Sequence, residues 1–279
     1  MTVIPDSPTQ LGVPAGLRAV RSRQTRLDKP PWKDLPPHTG NVETIFIRPA
    51  YFGESIAPFR VLDTVDAVIP YDGSGLLAGS DDRIDRYPGL AAWWRWAERM
   101  WMQYRASERL TLLDRIDYVH GLTTQFPIAP WRVVYTASGN TLAAALVRDP
   151  WGVVEHKLYW APVDSPDEGR YLTAILNAPI INDAVKPYQS TGAFGPRDFD
   201  KYVWLLPIPV FDAENPLHGL LVQVARRAEE VAATVLMPTP SSFQRMRREI
   251  RAALRQAGIE SDLNEVVHQL LSSSSAMRS

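Results

Sequence analysis

The chain has no cysteine among its 279 residues, so disulfide bonds and thiolate metal sites are excluded. Its five histidines do not recur at the spacings typical of metal ligands. A strong net charge is also lacking, because 30 basic and 31 acidic residues leave a formal charge of −1. A protein that coats nucleic acid without sequence preference is much more basic, whereas a specific binder with one local basic face is compatible with this balance.

Long apolar runs are scarce. No stretch approaches the roughly 18 apolar residues of a membrane span, and the first ten residues lack the basic start and apolar stretch of a signal peptide. We therefore expect a soluble, cytoplasmic protein. The composition is 45% hydrophobic, which is enough to bury the core of one large domain or two small ones.

The 24 prolines interrupt regular structure along the chain and predict short elements joined by ordered loops. Ala137-Ser138-Gly139-Asn140 stands between two apolar runs and is typical of a β-hairpin turn. The pattern predicts an α+β fold, with a mixed or antiparallel sheet, flanking helices and a C-terminal helical region. The predicted strands are 42–48, 65–69, 131–136, 141–147 and 152–160, and the predicted helices are 89–106, 107–118, 168–178, 217–236, 241–257 and 262–271.

Changes in composition divide the chain into four predicted regions. Residues 1–40 are rich in proline and basic side chains and are expected to be a tail or connector. Residues 41–212 form the predicted α+β domain, and residues 213–271 form the helical region. Residues 272–279 begin with a serine run and are expected to be a disordered tail.

Two motifs suggest catalysis or cofactor binding, but their residues do not fit either role. In Lys29-Pro30-Pro31-Trp32, lysine stands where adenine-N6 methyltransferases carry a residue that accepts a hydrogen bond from the target amine. Lysine has donors only, so a polyproline-type loop is favoured. Tyr71-Asp72-Gly73-Ser74-Gly75 follows a strand, but two glycines and a proline come next in place of a helix, so a surface turn is favoured over a nucleotide site.

Aromatic and basic side chains supply the remaining candidates. Trp93, Trp94 and Trp101 fall on the apolar stripe of a helix and predict core packing, whereas Trp96 lies off that stripe. Residues 188–197 form a Gly-rich polar loop containing glutamine and arginine, the side chains that read adenine and guanine edges. Residues 241–257 form a basic helix in which Arg248, Arg251 and Arg255 share a face suited to phosphates or to solvent.

Several segments together carry a resemblance to a known family. They occur in one order, and they resemble the C-terminal target-recognition region of N6-adenine DNA methyltransferases of the single-chain restriction-modification type. Upstream runs such as DKPPWKDLPP and YFGESIAPFR resemble the same proteins. The segments are RVVYTASGNTLAAALV at 132–147, EHKLYW at 155–160, YLTAILNAPIIN at 171–182, QSTGAFGPRDFDKYVWLLPIPVFD at 189–212 and the helix after Leu217.

The resemblance implies that residues 41–212 recognise a specific site in double-stranded DNA for an adenine methyltransferase or restriction partner. The chain would be inactive by itself and would carry no cofactor, with S-adenosylmethionine expected in a missing catalytic domain or separate subunit. The alternatives are a complete N6-adenine methyltransferase with degenerate motifs and a remnant that binds other proteins. The candidate DNA-binding residues are Gln189, Ser190, Thr191, Arg197, Lys201, Ser138, Asn140, Arg248, Arg251 and Arg255.

Overall fold

The α+β class is confirmed by a computed structural model of the chain, which is 44% helical and 19% strand. It describes residues 1–6, 12–25, 28–189, 191–192, 195–196, 198–237 and 242–276. No helix in these ranges is both long and apolar enough to cross a membrane. The strands are β1 (Thr2–Pro5), β2 (Leu17–Ser22), β3 (Thr39–Glu43), β4 (Ile47–Tyr51), β5 (Ile56–Ala57), β6 (Arg60–Val61), β7 (Val65–Val68), β8 (Arg132–Thr136), β9 (Ala144–Val147), β10 (Val153–Val154), β11 (Leu158–Pro162), β12 (Thr191–Gly192) and β13 (Gly195–Pro196).

The helices fall mainly in the second half of the chain. They are α1 (Pro88–Tyr104), α2 (Leu112–Ile116), α3 (Pro166–Asn177), α4 (Pro179–Val185), α5 (Pro216–Thr234), α6 (Phe243–Gln256) and α7 (Ile259–Ala276). The chain divides into two compact units. The first comprises residues 1–50, 64–128 and 151–153, and the second comprises residues 51–63, 129–150 and 154–279.

The first unit is built on a sheet with the strand order β10-β4-β7-β1-β2-β3. Helix α1 packs its apolar stripe, including Trp93 and Trp94, on the same core as Val20 and Val42 of the sheet. The Glu43 carboxylate at the end of β3 accepts hydrogen bonds from the first free N–H groups of α1, at 2.9 and 2.7 Å. A carboxylate at this end of a helix favours its start and fixes the strand-to-helix connection.

The second unit combines the antiparallel sheet β11-β8-β9 with helices α3 to α7. Tyr135 of β8 lies opposite Tyr159 of β11 and Ala144 of β9. Helix α3 packs on this sheet and on α5, and the buried faces of α5, α6 and α7 complete one core. The Ser165 and Ser242 hydroxyls cap the first turns of α3 and α6, as their sequence positions favour.

The structure differs from the expected tails at both ends of the chain. Residues 1–40 were expected to be a connector, yet β1 and β2 lie inside the first sheet, where Val3 and Val20 are fully buried. Their apolar residues are few and separated by prolines, which concealed the strand pattern. Helix α7 continues to Ala276, past the expected start of a disordered tail at residue 272. The predicted strand 42–48 is interrupted by a single turn of 3₁₀ helix at Thr44–Phe46.

Candidate nucleic-acid interface

The β8–β9 turn and the segment after residue 197 meet at one end of the three-stranded sheet. The carbonyl of Ala137 accepts hydrogen bonds from the backbone N–H groups of Phe199, at 2.8 Å, and Asp200, at 3.3 Å. Ser138 and Asp198 form an antiparallel bridge. Two segments that are about sixty residues apart in sequence therefore form one surface, as expected if both take part in recognition.

Buried aromatic side chains hold this junction. Phe199 is fully buried in the core, and Asp200 has a φ of +39°, a left-handed conformation that costs free energy in a non-glycine residue. The Tyr135 hydroxyl donates to the Asp200 carbonyl at 3.2 Å, and the Tyr159 hydroxyl donates to the Asp200 carboxylate. That carboxylate, and then burial, raise the pKa of Tyr159 to about 12, so the phenol keeps its proton at neutral pH.

Exposed polar and apolar side chains surround the junction. We call the set Ser138, Asn140, Lys201, Trp204 and Leu205 the sheet-end surface. Its three polar members are exposed, and Trp204 and Leu205 are 41% and 64% exposed. The indole N–H of Trp204 donates to the hydroxyl of the buried Tyr135 at 3.0 Å, which fixes the ring while one side stays accessible.

The charges around the sheet-end surface are mixed. Lys157 is exposed, and its backbone carbonyl accepts a hydrogen bond from the N–H of Ala137 at 3.2 Å, on the same end of the sheet as Lys201. Asp198 and Asp200 also belong to the junction. Such a surface attracts phosphates weakly, but amide and carboxylate oxygens can accept hydrogen bonds from base edges. The arrangement therefore suits base reading more than backbone binding.

The candidates in the loop before this junction have different outcomes. Ser190 and Arg197 lie outside the described residues, and Thr191 is described only through its backbone in β12. The Gln189 side chain is only 8% exposed, and its buried Nε2 has no hydrogen-bond partner in the described part of the chain. The sequence predicted Gln189 as a base-reading side chain, but its side chain is turned inward in the structure, while the neighbouring Tyr188 is 50% exposed.

The basic helix α6 does not present its arginines as a single face. Its apolar stripe of Met246, Ile250 and Leu254 is buried, and the arginines next to that stripe turn inward. Arg251 is one of them, so its predicted place on a solvent-facing phosphate surface is corrected. Its guanidinium donates through Nη2 to the backbone carbonyl of Leu142.

Arg245, Arg248 and Arg255 of α6 remain on the outside. Arg245 forms an ion pair with Glu249 at 2.7 Å, and Arg255 forms one with Glu260 at 3.1 Å. Arg248 is exposed, and no acid or carbonyl binds it within the ranges that the structure describes. Of the three predicted phosphate-binding arginines of α6, Arg248 and Arg255 are thus exposed, and Arg255 is engaged in an ion pair at the surface.

The two motifs at residues 29–32 and 71–75, which the sequence did not favour as functional sites, make contacts within the protein. Asp72 Oδ1 accepts from the backbone N–H groups of Ser74 and Gly75, which makes 71–75 a turn closed by its own side chain. Trp32 stacks on Trp101 with ring centroids 5.9 Å apart. Lys29 is exposed and has donors only, so it does not fit the amine-holding position of a methyltransferase.

Trp96, the tryptophan off the apolar stripe, is also engaged. Its ring stacks on His38 with centroids 3.8 Å apart and planes within 7°. Burial, with a smaller contribution from the charge of Arg99, lowers the pKa of His38, so this stack contains a neutral imidazole at neutral pH. Within the residues that the structure describes, no group of three His, Asp or Glu side chains is placed to hold a metal ion.

Sequence reasoning missed the side chains that support the hairpin from behind. Asn177 of α3 bonds to both backbone groups of Ala144, and Asn182 of α4 accepts from the N–H of Leu142 at 3.0 Å. Both asparagines lie within the segment that carries the resemblance, but asparagine in an apolar helix gives no specific signal for this role. Asn177 thus holds the first residue of β9, and Asn182 holds the backbone just before that strand.

Comparisons with known proteins find similarity to solved structures. No protein-family model and no curated protein matches the chain. Among solved structures, it is similar to the type IIG restriction endonuclease BpuSI, with a TM-score of 0.38 and 11% sequence identity. The similarity covers 94% of this chain and 31% of that chain, so the chain spans less than a third of that enzyme's length.

Proposed function

We propose that this chain is a DNA-recognition module of a restriction-modification system, and that it directs an adenine-N6 methyltransferase domain or subunit to its site. The observation that supports this most is the sheet-end surface. It unites the hairpin turn and the segment after residue 197, the two parts that the sequence selected as DNA-reading. The proposal places no catalytic residue in this chain, and the methyl donor S-adenosylmethionine belongs to the partner.

The side chains of the sheet-end surface suggest how a base pair is read. The Asn140 amide has a donor and an acceptor side by side, which matches the N6 and N7 edge of adenine. Lys201 donates to guanine or to a phosphate next to it. The accessible side of Trp204 offers a flat apolar surface to a thymine methyl group or to an exposed base.

The experiment that tests this function is selection of bound duplexes from a randomised library, followed by titration of the enriched site. A defined motif is expected, and the double variant Asn140→Ala with Lys201→Ala should lose about tenfold or more in affinity for it, since each specific contact is worth about 1–3 kcal/mol. The matched control is Asn41→Ala with Lys33→Ala, which removes the same two side-chain types at exposed positions of the first unit.

Two results would contradict the proposal. One is the absence of any enriched motif together with binding that does not depend on salt, because contact with phosphates makes DNA affinity fall as salt rises. The other is measurable affinity of the isolated chain for S-adenosylmethionine in a calorimeter. That affinity would favour a complete methyltransferase with degenerate motifs.

A further inference from the structure

The inner edge of α6 carries two guanidinium groups that are bound to backbone carbonyls only. Arg247 donates through Nε to the carbonyl of Ile56 at 2.8 Å and through Nη2 to the carbonyl of Gly53. Arg251, one helical turn later, donates through Nη2 to the carbonyl of Leu142. Residues four apart on a helix lie on the same side, about 5–6 Å apart at Cβ, so the two side chains leave the helix next to each other. The charge of Arg251 acts on Arg247.

The positive charge of this pair is not balanced nearby. Both side chains are mostly withdrawn from solvent, and no carboxylate bonds to either within the described ranges. Glu260 favours the charged form of Arg251 from a distance, but its carboxylate is bound to Arg255. Burial first, and then the charge of Arg251, lower the pKa of Arg247 to about 10. Buried arginines are ordinarily paired with an acid, and these two are not.

The pair also has unused donors. Nη1 of Arg247 and Nη1 of Arg251 have no acceptor among the residues that the structure describes, and neither does the buried Nε of Arg251. The ring of Phe243 lies 5.1 Å from the guanidinium of Arg247 and supports one face of it. Two adjacent guanidinium groups with free N–H edges match the oxygens of a phosphate.

We propose that Arg247 and Arg251 together form a binding site for a phosphate-type anion. Two sources share this chemistry: a phosphate of the DNA backbone, in which case the site rests on the proposed function, and a free phosphate or diphosphate. Arg251 would have two roles, since the guanidinium that binds the anion also holds the backbone behind the hairpin turn. Arg248, exposed on the same helix, does not belong to the pair because it lacks the buried carbonyl contacts.

The first experiment uses the full chain with inorganic phosphate and pyrophosphate. The midpoint of thermal unfolding should rise with the logarithm of anion concentration, relative to sodium chloride at matched ionic strength, because a ligand that binds only the folded state stabilises it. Arg247→Met and Arg251→Met should each weaken anion affinity about tenfold or more, which is the loss of one charge-assisted hydrogen bond. The control is Arg245→Met on the outer side of α6, which should change anion affinity less than twofold.

The variants also cover a failure to fold. If Arg251→Met does not fold, Arg251→Lys retains the charge but lacks the planar fork, and it should still weaken pyrophosphate binding while Arg245→Lys does not. The site is rejected if phosphate and pyrophosphate stabilise the wild-type chain no more than chloride does. Equal anion affinity in the wild type and in the Arg247 and Arg251 variants would also reject it.

A second arm distinguishes the two sources and keeps the site separate from the proposed function. Affinity for random duplex DNA is measured over a salt series in the wild type and in Arg247→Met. If the site binds a backbone phosphate, the slope of log affinity against log salt should fall by about one in the variant. Anion protection without any DNA binding supports a free-anion site and contradicts the proposed function. DNA binding with no anion protection and an unchanged slope contradicts the site alone.

Discussion

Asn177 holds the β8–β9 hairpin through hydrogen bonds to its backbone, and its removal should lower the free energy of unfolding. It is 3% exposed and lies at the end of α3. Its Oδ1 accepts from the N–H of Ala144 at 3.0 Å, and its Nδ2 donates to the carbonyls of Ala144 at 2.9 Å and Thr173 at 3.0 Å. Two of these bonds satisfy the N–H and carbonyl of Ala144, at the start of β9.

The expected cost of Asn177→Ala follows from what each partner loses. The carbonyl of Ala144 retains a hydrogen bond from the N–H of Phe59 at 2.9 Å. The N–H of Ala144 is buried and loses its acceptor, which costs about 1–3 kcal/mol. Removing the rest of a buried side chain adds to this, so we expect the free energy of unfolding to fall by about 2–4 kcal/mol. That is a large fraction of the roughly 5–15 kcal/mol that stabilises a typical domain.

The assay is urea unfolding of the wild type, Asn177→Ala and Asn177→Asp, monitored by tryptophan fluorescence. Asn177→Asp should be at least as costly, because a carboxylate cannot donate to the carbonyl of Ala144 and is charged when buried. Asn140→Ala at the exposed turn is the control and should change the free energy of unfolding by less than about 0.5 kcal/mol. A loss below about 1 kcal/mol in Asn177→Ala would refute the reasoning, since the N–H of Ala144 would then have found another acceptor.

Three further predictions follow from individual contacts. Burial lowers the pKa of His218, whose Nδ1 accepts a hydrogen bond from the N–H of Asp212. As the pH falls below about 6.5, the unfolded chain therefore takes up a proton before the folded chain does. The free energy of unfolding in urea titrations should decline between pH 7 and 5.5, and it should decline less in His218→Gln. A Cβ at Gly169 of α3 would lie 2.5 Å from the Leu146 side chain. In Gly169→Ala, overpacking should cost about 1–3 kcal/mol and the higher helix propensity of alanine should return about 1 kcal/mol, so the protein should lose stability. A double-mutant cycle should show that Leu146→Ala reduces this loss. Val119 is 79% exposed with a φ of +49°. Val119→Gly should raise the unfolding temperature, because a left-handed conformation costs a non-glycine residue about 1–2 kcal/mol. An unchanged unfolding temperature would show that the backbone at Val119 is not strained.

The helices were predictable from the sequence because their signals are local. The apolar spacing of α1 and α5, and the serine and proline at the start of α3, each specify a helix within one window of the chain. The predicted helices 89–106 and 217–236 match Pro88–Tyr104 and Pro216–Thr234. The β8–β9 hairpin was predictable for the same reason.

The first sheet and the interior of the site were not predictable in this way. Strand β1 pairs with β7, more than sixty residues away, and its four residues carry too little pattern to identify a strand. Helical spacing placed Arg251 on one face with Arg248 and Arg255. The spacing does not show which arginine beside the buried stripe turns inward to donate a hydrogen bond to a backbone carbonyl. The inward turn of Gln189 likewise depends on how its neighbours pack, and no short sequence pattern encodes it.

The backbone directly behind the hairpin turn is held by three helices at once. Asn182 of α4 binds the N–H of Leu142, Arg251 of α6 binds its carbonyl, and Asn177 of α3 binds both backbone groups of Ala144. Asn140 therefore projects from a rigid support although it lies in a turn, and little conformational entropy would be lost when it contacts a ligand. Arg251 belongs both to this support and to the proposed anion site. A bound phosphate would therefore contact the same guanidinium that positions the turn. Phosphate binding and base reading would then be coupled through one side chain.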